Sequence, residues 1–268
     1  MHSEPSALRT ILVERYVTPL REGGSMPAVV EADDQGTYVL KFRGAGQGVR
    51  ALMAEIIAGG IARALGLPVP EIVLARLDPQ LARTEPDPEI QELIRASGGL
   101  NVALDYLSGA VNFDPCVDVV EPDFAARLVW FDTLVSNVDR TARNTNLLMW
   151  HRMPWLIDHG ASLSFHHAWN GTVADAAKPF APIAEHVLLP LADALPRVDA
   201  ELAPLLTRQA LQACVAAVPD SFLEQAAADH ADGALADPAA HRAAYVRYFE
   251  ARLAERGRWL QGAIDARG

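Results

Sequence analysis

Apolar positions change their period along this chain. Short β-branched runs open it: ILVERYV (11–17), PAVVEA (27–32), TYVLKF (37–42) and EIVLARL (71–77), with turn residues REGG and DDQG between the first three. Such runs bounded by Gly and Asp predict antiparallel strands. One helix is predicted among them over 49–66, with Leu52, Met53, Ile56, Ile57, Ile61 and Leu65 on one broad face and Gly66 at its end. Residues 78–99 are rich in Pro and acid and read as an excursion with a short helix after Asp87, and 100–110 as a strand entering a connector. Helical spacing returns at 121–137, where Phe124, Leu128, Phe131 and Val135 fall on one face, and dominates the Ala- and Leu-rich sequence from about 181 onward. Residues 243–266 are predicted as a final helix packing through Tyr245, Val246, Phe249, Leu253 and Leu260. The fold class is therefore α+β: a small antiparallel β-rich half with one helix (1–107), then a larger, mainly helical half (108–268).

Composition narrows the possible partners. At 268 residues and 50% hydrophobic, the chain can bury a large core in one domain or two lobes. Its 34 acidic and 23 basic residues give a formal charge of −11, which repels a nucleic-acid backbone or an anionic membrane surface. Cys116 and Cys214 are far apart and in no metal-binding spacing, which argues against a disulfide framework and a structural zinc and fits a reducing cytoplasm. The first ten residues lack the pattern of a signal peptide, and no apolar run approaches the ~18 residues of a membrane span, so a soluble protein is expected. Lys occurs only at 41 and 178; the other 21 basic residues are Arg.

Chemistry concentrates in residues 137–160, NVDRTARNTNLLMWHRMPWLIDHG. Here a helix ends, Asp139 and Asn144 follow five residues apart, and LLMW and WLID flank a turn at HRMP. A hairpin brings the residues before its first strand close to those after its second, so Asp139, Asn144 and Asp158 are expected to converge. The set suits phosphoryl transfer: one carboxylate accepts the proton of the attacking hydroxyl, while an Asn and a second Asp supply hard oxygen ligands to Mg²⁺ on nucleotide phosphates. GAGQG (44–48) departs from the dinucleotide-binding spacing and reads as a connector. P-loop, zincin and α/β-hydrolase motifs are absent. His166 and His167 lack further ligands at metal spacing and read as surface or loop residues.

DRTARN together with LIDHG resembles the catalytic and metal motifs of the protein-kinase-like superfamily, and the upstream order resembles the HipA-like kinases. LREGGSMPAVVEADDQGTYVLKF is similar to their phosphate loop, strand and strand lysine, and AEIIAGGIARALGLPVPEIVLARL to the helix, turn and strand that follow; the likeness spans roughly 15–165. It implies a two-lobed kinase fold using ATP and Mg²⁺, with Asp139 as base, Asn144 and Asp158 as metal ligands, and Lys41 on the phosphates. It further implies Gly23, Gly24 and Ser25 over the phosphates, Glu55 paired with Lys41, and the backbone of Asp105, Tyr106 and Leu107 at the adenine. A lysine in a chain that otherwise uses Arg almost everywhere fits a phosphate contact, because its ammonium is a compact point charge. The helical wheel, by contrast, sets Glu55 opposite the apolar arc, on a solvated face.

SNV precedes Asp139, without the His-Arg of eukaryotic protein kinases. A protein Ser/Thr hydroxyl is the leading acceptor. A small-molecule kinase resembling the aminoglycoside phosphotransferases and a non-catalytic nucleotide-binding pseudokinase are the competing readings.

Overall fold

A computed structural model describes residues 8–20, 26–228 and 235–268. In the N-terminal half β1 (Thr10–Pro19), β2 (Ala28–Ala32), β3 (Thr37–Lys41), β4 (Ile72–Leu77) and β5 (Gly99–Asp105) close a barrel in the order β1-β2-β3-β5-β4. Alternation sorts their side chains: Ile11, Val13, Val30, Tyr38, Leu40, Val73, Ala75 and Ala103 form a core of their own, while Leu12 stays exposed.

The all-antiparallel expectation is corrected at the closure. β1 pairs with β4 in parallel, from Thr10 opposite Leu74 to Leu12 opposite Arg76. A parallel partner needs a long crossover, which the chain between β1 and β4 supplies, and the pairing removes the last open edges of the sheet. This half carries α1 (Val49–Ala64) and, where the sequence placed a short helix after Asp87, α2 (Pro88–Ala96). Asp87 caps α2 by accepting from Glu89 N at 2.9 Å, and Ile90 and Ile94 join the barrel core.

Helix α1 explains the failure of the wheel at Glu55. It lies between the barrel and the helices of the C-terminal half, so it is buried on nearly every side and Glu55 is 0% exposed. Gly59 leaves room for Ile72 of β4, whose Cδ1 lies where a Cβ would clash, so glycine allows the close approach of helix and strand there. The helix ends in a Schellman motif, with Gly66 at φ 77° and the N–H groups of Gly66 and Leu67 donating to Arg63 O and Ala62 O.

In the C-terminal half β6 (Val111–Asn112), β7 (Leu147–Trp150) and β8 (Met153–Leu156) form a small antiparallel sheet. His151 and Arg152, both at positive φ, make the two-residue turn of the β7–β8 hairpin. Around it stand α3 (Pro122–Val135), α4 (Leu195–Leu202), α5 (Arg208–Ala216), α6 (Asp220–Ala228), α7 (Pro238–Ala254) and α8 (Arg256–Arg267). The single final helix expected from the sequence is thus two, broken at Glu255. Trp259 Nε1 donates to Arg252 O at 2.8 Å, capturing the carbonyl that a continuous helix would bond to Arg256. Arg252 itself is buried and donates to Thr133 O and Leu134 O, the last carbonyls of α3.

His166 corrects another expectation. It sits in a 3-10 turn over Ser164–Ala168, 2% exposed, with Nδ1 3.0 Å from the Tyr245 hydroxyl. Burial holds its pKa well below the usual histidine value. His167 is exposed as expected. Both cysteines are free, and among the described residues no helix is long and apolar enough to cross a membrane. Truncating α1 at its centre, Ile57→Ala, should cost about 2–5 kcal/mol and lower the urea midpoint accordingly; an unchanged midpoint would contradict the burial of this helix on both sides.

Candidate active site

The loop after α3 is built on one buried carboxylate. α3 ends at Ser136 with left-handed φ 54°, and the chain folds back so that Asn137 N donates to Asp132 O at 3.0 Å. Asp132 Oδ1 accepts from Asn137 Nδ2 at 3.0 Å; its Oδ2 accepts from Arg140 Nε at 2.6 Å and contacts His186 Nε2 at 2.9 Å. His186 Nδ1 accepts from Leu188 N, so the proton lies on Nε2, facing Asp132. Burial alone would raise the pKa of Asp132, but Arg140 and His186 outweigh it and hold it at about 2. Arg140 reaches onward to Asn146 O and Thr145 O, so one ion pair ties both ends of the loop to α3.

This scaffold presents Asp139. Its N–H donates to Asn137 Oδ1 at 3.1 Å, and its Oδ2 accepts from Asn144 Nδ2 at 2.8 Å and Asn146 Nδ2 at 3.1 Å. Asn146 Nδ2 also reaches Asp139 O at 3.1 Å. Two asparagines thus occupy one oxygen of the carboxylate, and among the described residues Oδ1 accepts no hydrogen bond.

The hairpin supplies the other side. Ile157 N donates to Asn146 O at 3.1 Å, which sets Asp158, at φ 54°, beside the loop. Lys41 Nζ donates to Asp158 Oδ1 at 2.6 Å and to Glu55 Oε2 at 2.8 Å. Burial alone would lower the pKa of Lys41, but the two carboxylates raise it above the ordinary value. Burial acts upward on Glu55, yet Lys41 and His159 hold it at about 2. His159 binds Glu55 twice, through its backbone N–H at 2.9 Å and Nδ1 at 3.1 Å.

Lys41, Asn144, Asn146 and Asp158 line a cavity of about 760 Å³ between the barrel and the helical half, within the size range of ligand sites. Val39, Leu104, Leu107 and Leu147 give it an apolar wall, and Asp105 and Tyr106 also line it. The N–H groups of Asp105 and Tyr106 are engaged by Glu71 O and Thr37 O, so among the described residues Leu107 N–H is the one in this segment left without an acceptor. Burial, with a smaller push from Glu71, raises the pKa of Asp105. Gly23, Gly24 and Ser25 lie outside the described residues; Leu20 and Pro27, on either side of that segment, line the cavity.

The donors suit Mg²⁺. Asn144 Oδ1 and Asp158 Oδ2 are hard oxygens without hydrogen-bond partners among the described residues. Mg²⁺ takes one or two protein ligands with water and phosphate oxygens. No cluster of three or more His, Cys, Asp or Glu suited to a metal occurs among the described residues.

Sequence reasoning missed Asp132, Asn137, Asn146, His159 and His186. An Asp inside the apolar run LVWFDTLV was the legible signal for the first, since a buried charge requires a partner. Nothing local marked His186, which reaches the loop from far along the chain.

The fold is that of a kinase. The chain is similar to the crystal structure of the Helicobacter pylori proinflammatory kinase CtkA over 97% of both chains, at 11% identity and a TM-score of 0.54. It also aligns with the Golgi casein kinase at 12% identity over 99% of this chain and 75% of that one, TM-score 0.45. A second structure of that kinase, with Mn/ADP bound, aligns over 93% and 73% at 12% identity, TM-score 0.40. The profile of the HipA-like kinases matches residues 13–244, and the chain belongs to that family. No curated protein matches it in sequence.

Glu55 and Asp132 generate a pH prediction. Both carry folded-state values depressed to about 2, below those of an unfolded chain, so their stabilisation is full above about pH 4.5 and is lost as pH falls toward 2. Asp132→Asn should flatten the fall in urea midpoint over that window. It should also destabilise the protein at pH 7 by about 3–5 kcal/mol, because Arg140 is left buried and unpaired. An acid limb as steep as in the wild type would contradict the assignment.

Proposed function

We propose that the protein is an ATP- and Mg²⁺-dependent kinase that transfers the γ-phosphoryl group to a hydroxyl, with a protein Ser/Thr as acceptor. The nucleotide would sit between lobes 1–107 and 108–268. The observation that carries this reading is the free oxygen of Asp139, whose carboxylate is fixed by Asn144 and Asn146, two residues that line the same cavity as Lys41 and Asp158. Leu107 N–H serves the adenine edge; Gly23, Gly24 and Ser25, which lie outside the described residues, remain the expected phosphate contacts. Asn144 Oδ1 and Asp158 Oδ2 would hold Mg²⁺, which when bound would supply neutralisation of the phosphate charge.

Asp139 Oδ1 orients the acceptor hydroxyl and takes its proton. The hydroxyl oxygen bonds to the γ-phosphorus as the bond to the bridging oxygen breaks, and that electron pair leaves on ADP. Glu55 and His159 fix the position of Lys41, whose ammonium meets the phosphate oxygens.

Incubation with Mg²⁺ and γ-labelled ATP, with and without cell extract, tests the base. Asp139→Asn keeps the shape of the side chain but cannot accept the proton, so the rate should fall by about 10²–10⁴; equal labelling by variant and wild type would overturn the assignment. Mg²⁺-ATP at a hundred times its Kd should stabilise the fold by about 2.7 kcal/mol, read as a rise in Tm. Absence of that rise would remove the nucleotide site itself.

A further inference from the structure

The DRTARN loop contains two arginines with opposite fates. Arg140 is buried and spent on Asp132, Thr145 and Asn146. Arg143 is exposed, makes no hydrogen bond or ion pair among the described residues, and lines the cavity.

The loop holds Arg143 at a defined place. Thr141 N donates to Asn144 O at 2.9 Å, and Asn144 N approaches Thr141 Oγ1 at 3.4 Å, which makes 141–144 a tight turn with Ala142 and Arg143 at its tip. Thr141 is pinned in turn by a bridge to His186, and Asn144 by Asp139. Arg143 therefore stands one residue from Asn144, on a backbone anchored to α3.

Charge balance gives this position a use. The described residues lining the cavity include two cations, Lys41 and Arg143, against Asp105, Asp114 and Asp158. The charge of Lys41 is already matched by Asp158 and Glu55. Arg143 is thus the one cation of this wall, among the described residues, with no carboxylate partner. A nucleoside triphosphate brings its largest charge at the γ-phosphoryl end, and during transfer that charge spreads over the equatorial oxygens. A guanidinium offers two parallel donors to such oxygens.

We propose that Arg143 binds the γ-phosphoryl group of the nucleotide and holds it in line between Asp139 and the departing ADP. This rests on the kinase reading above and adds a recognition element to it: Arg143 distinguishes a triphosphate from a diphosphate. It keeps its contact while the bond from phosphorus to the ADP oxygen breaks and the bond to the acceptor oxygen forms, with the proton passing to Asp139.

Calorimetric titration of the full chain with Mg²⁺-ADP and with Mg²⁺-AMPPNP, a non-hydrolysable triphosphate, tests this without knowledge of the acceptor. Arg143→Ala should weaken AMPPNP binding about tenfold or more, the scale of a lost charge-assisted hydrogen bond, and leave ADP binding within about twofold. Arg143→Lys should recover part of the loss, since it restores the charge without the fork. Unchanged ADP binding also verifies that the variants are folded. Equal loss of both ligands would place Arg143 on the α- or β-phosphate and overturn the proposal, as would retention of both. If the wild type binds neither ligand, the nucleotide reading falls with it; if it binds both and the variant matches it, the role of Arg143 alone is refuted.

Discussion

The ammonium of Lys41 joins three parts of the molecule: the end of β3, the centre of α1 through Glu55, and the end of the β7–β8 hairpin through Asp158. Neither Lys41 nor Glu55 could be buried alone, because an unpaired ion in a protein interior costs several kcal/mol. Their mutual satisfaction locks the barrel, α1 and the hairpin in one relation. That relation sets the width of the cavity between the two halves. His159 completes the arrangement by occupying the other oxygen of Glu55, so the carboxylate cannot turn away from Lys41.

A second buried ion pair does for the loop what Lys41 does for the cavity. Asp132 and Arg140 fasten the loop to α3, and Asn144 and Asn146 then fix the carboxylate of Asp139. Such networks preorganise a site because the side chains need not be ordered at the moment of reaction. The two networks meet where Ile157 N donates to Asn146 O, so Asp139 and Asp158 are placed relative to one another by backbone. The division of labour between the two loop arginines follows from burial: Arg140 is consumed as structure, while Arg143, at the tip of the turn, remains available to a ligand.

Much of this was legible along the chain. Alternation located the barrel strands, and the apolar hairpin around HRMP was sufficient to bring Asp139, Asn144 and Asp158 to one place, because a hairpin is a local object whose ends meet by construction. The spacing DRTARN plus LIDHG carried the family likeness that the profile over 13–244 bears out. The final helix failed as a single element because its break at Glu255 depends on where Trp259 packs, and periodicity carries no record of that.

Local sequence thus determined the identity of the elements and of the polar groups between them, since strand alternation, Gly caps and turn residues act within a few neighbours. Tertiary structure alone decided the parallel closure of β1 on β4, the burial of α1 on both sides, and the partners of Glu55, Asp132 and His186. A helical wheel assumes one apolar face and one wet face; α1 has neighbours on both. The wheel therefore sent Glu55 to water, whereas desolvation between two packed halves made it the partner of Lys41.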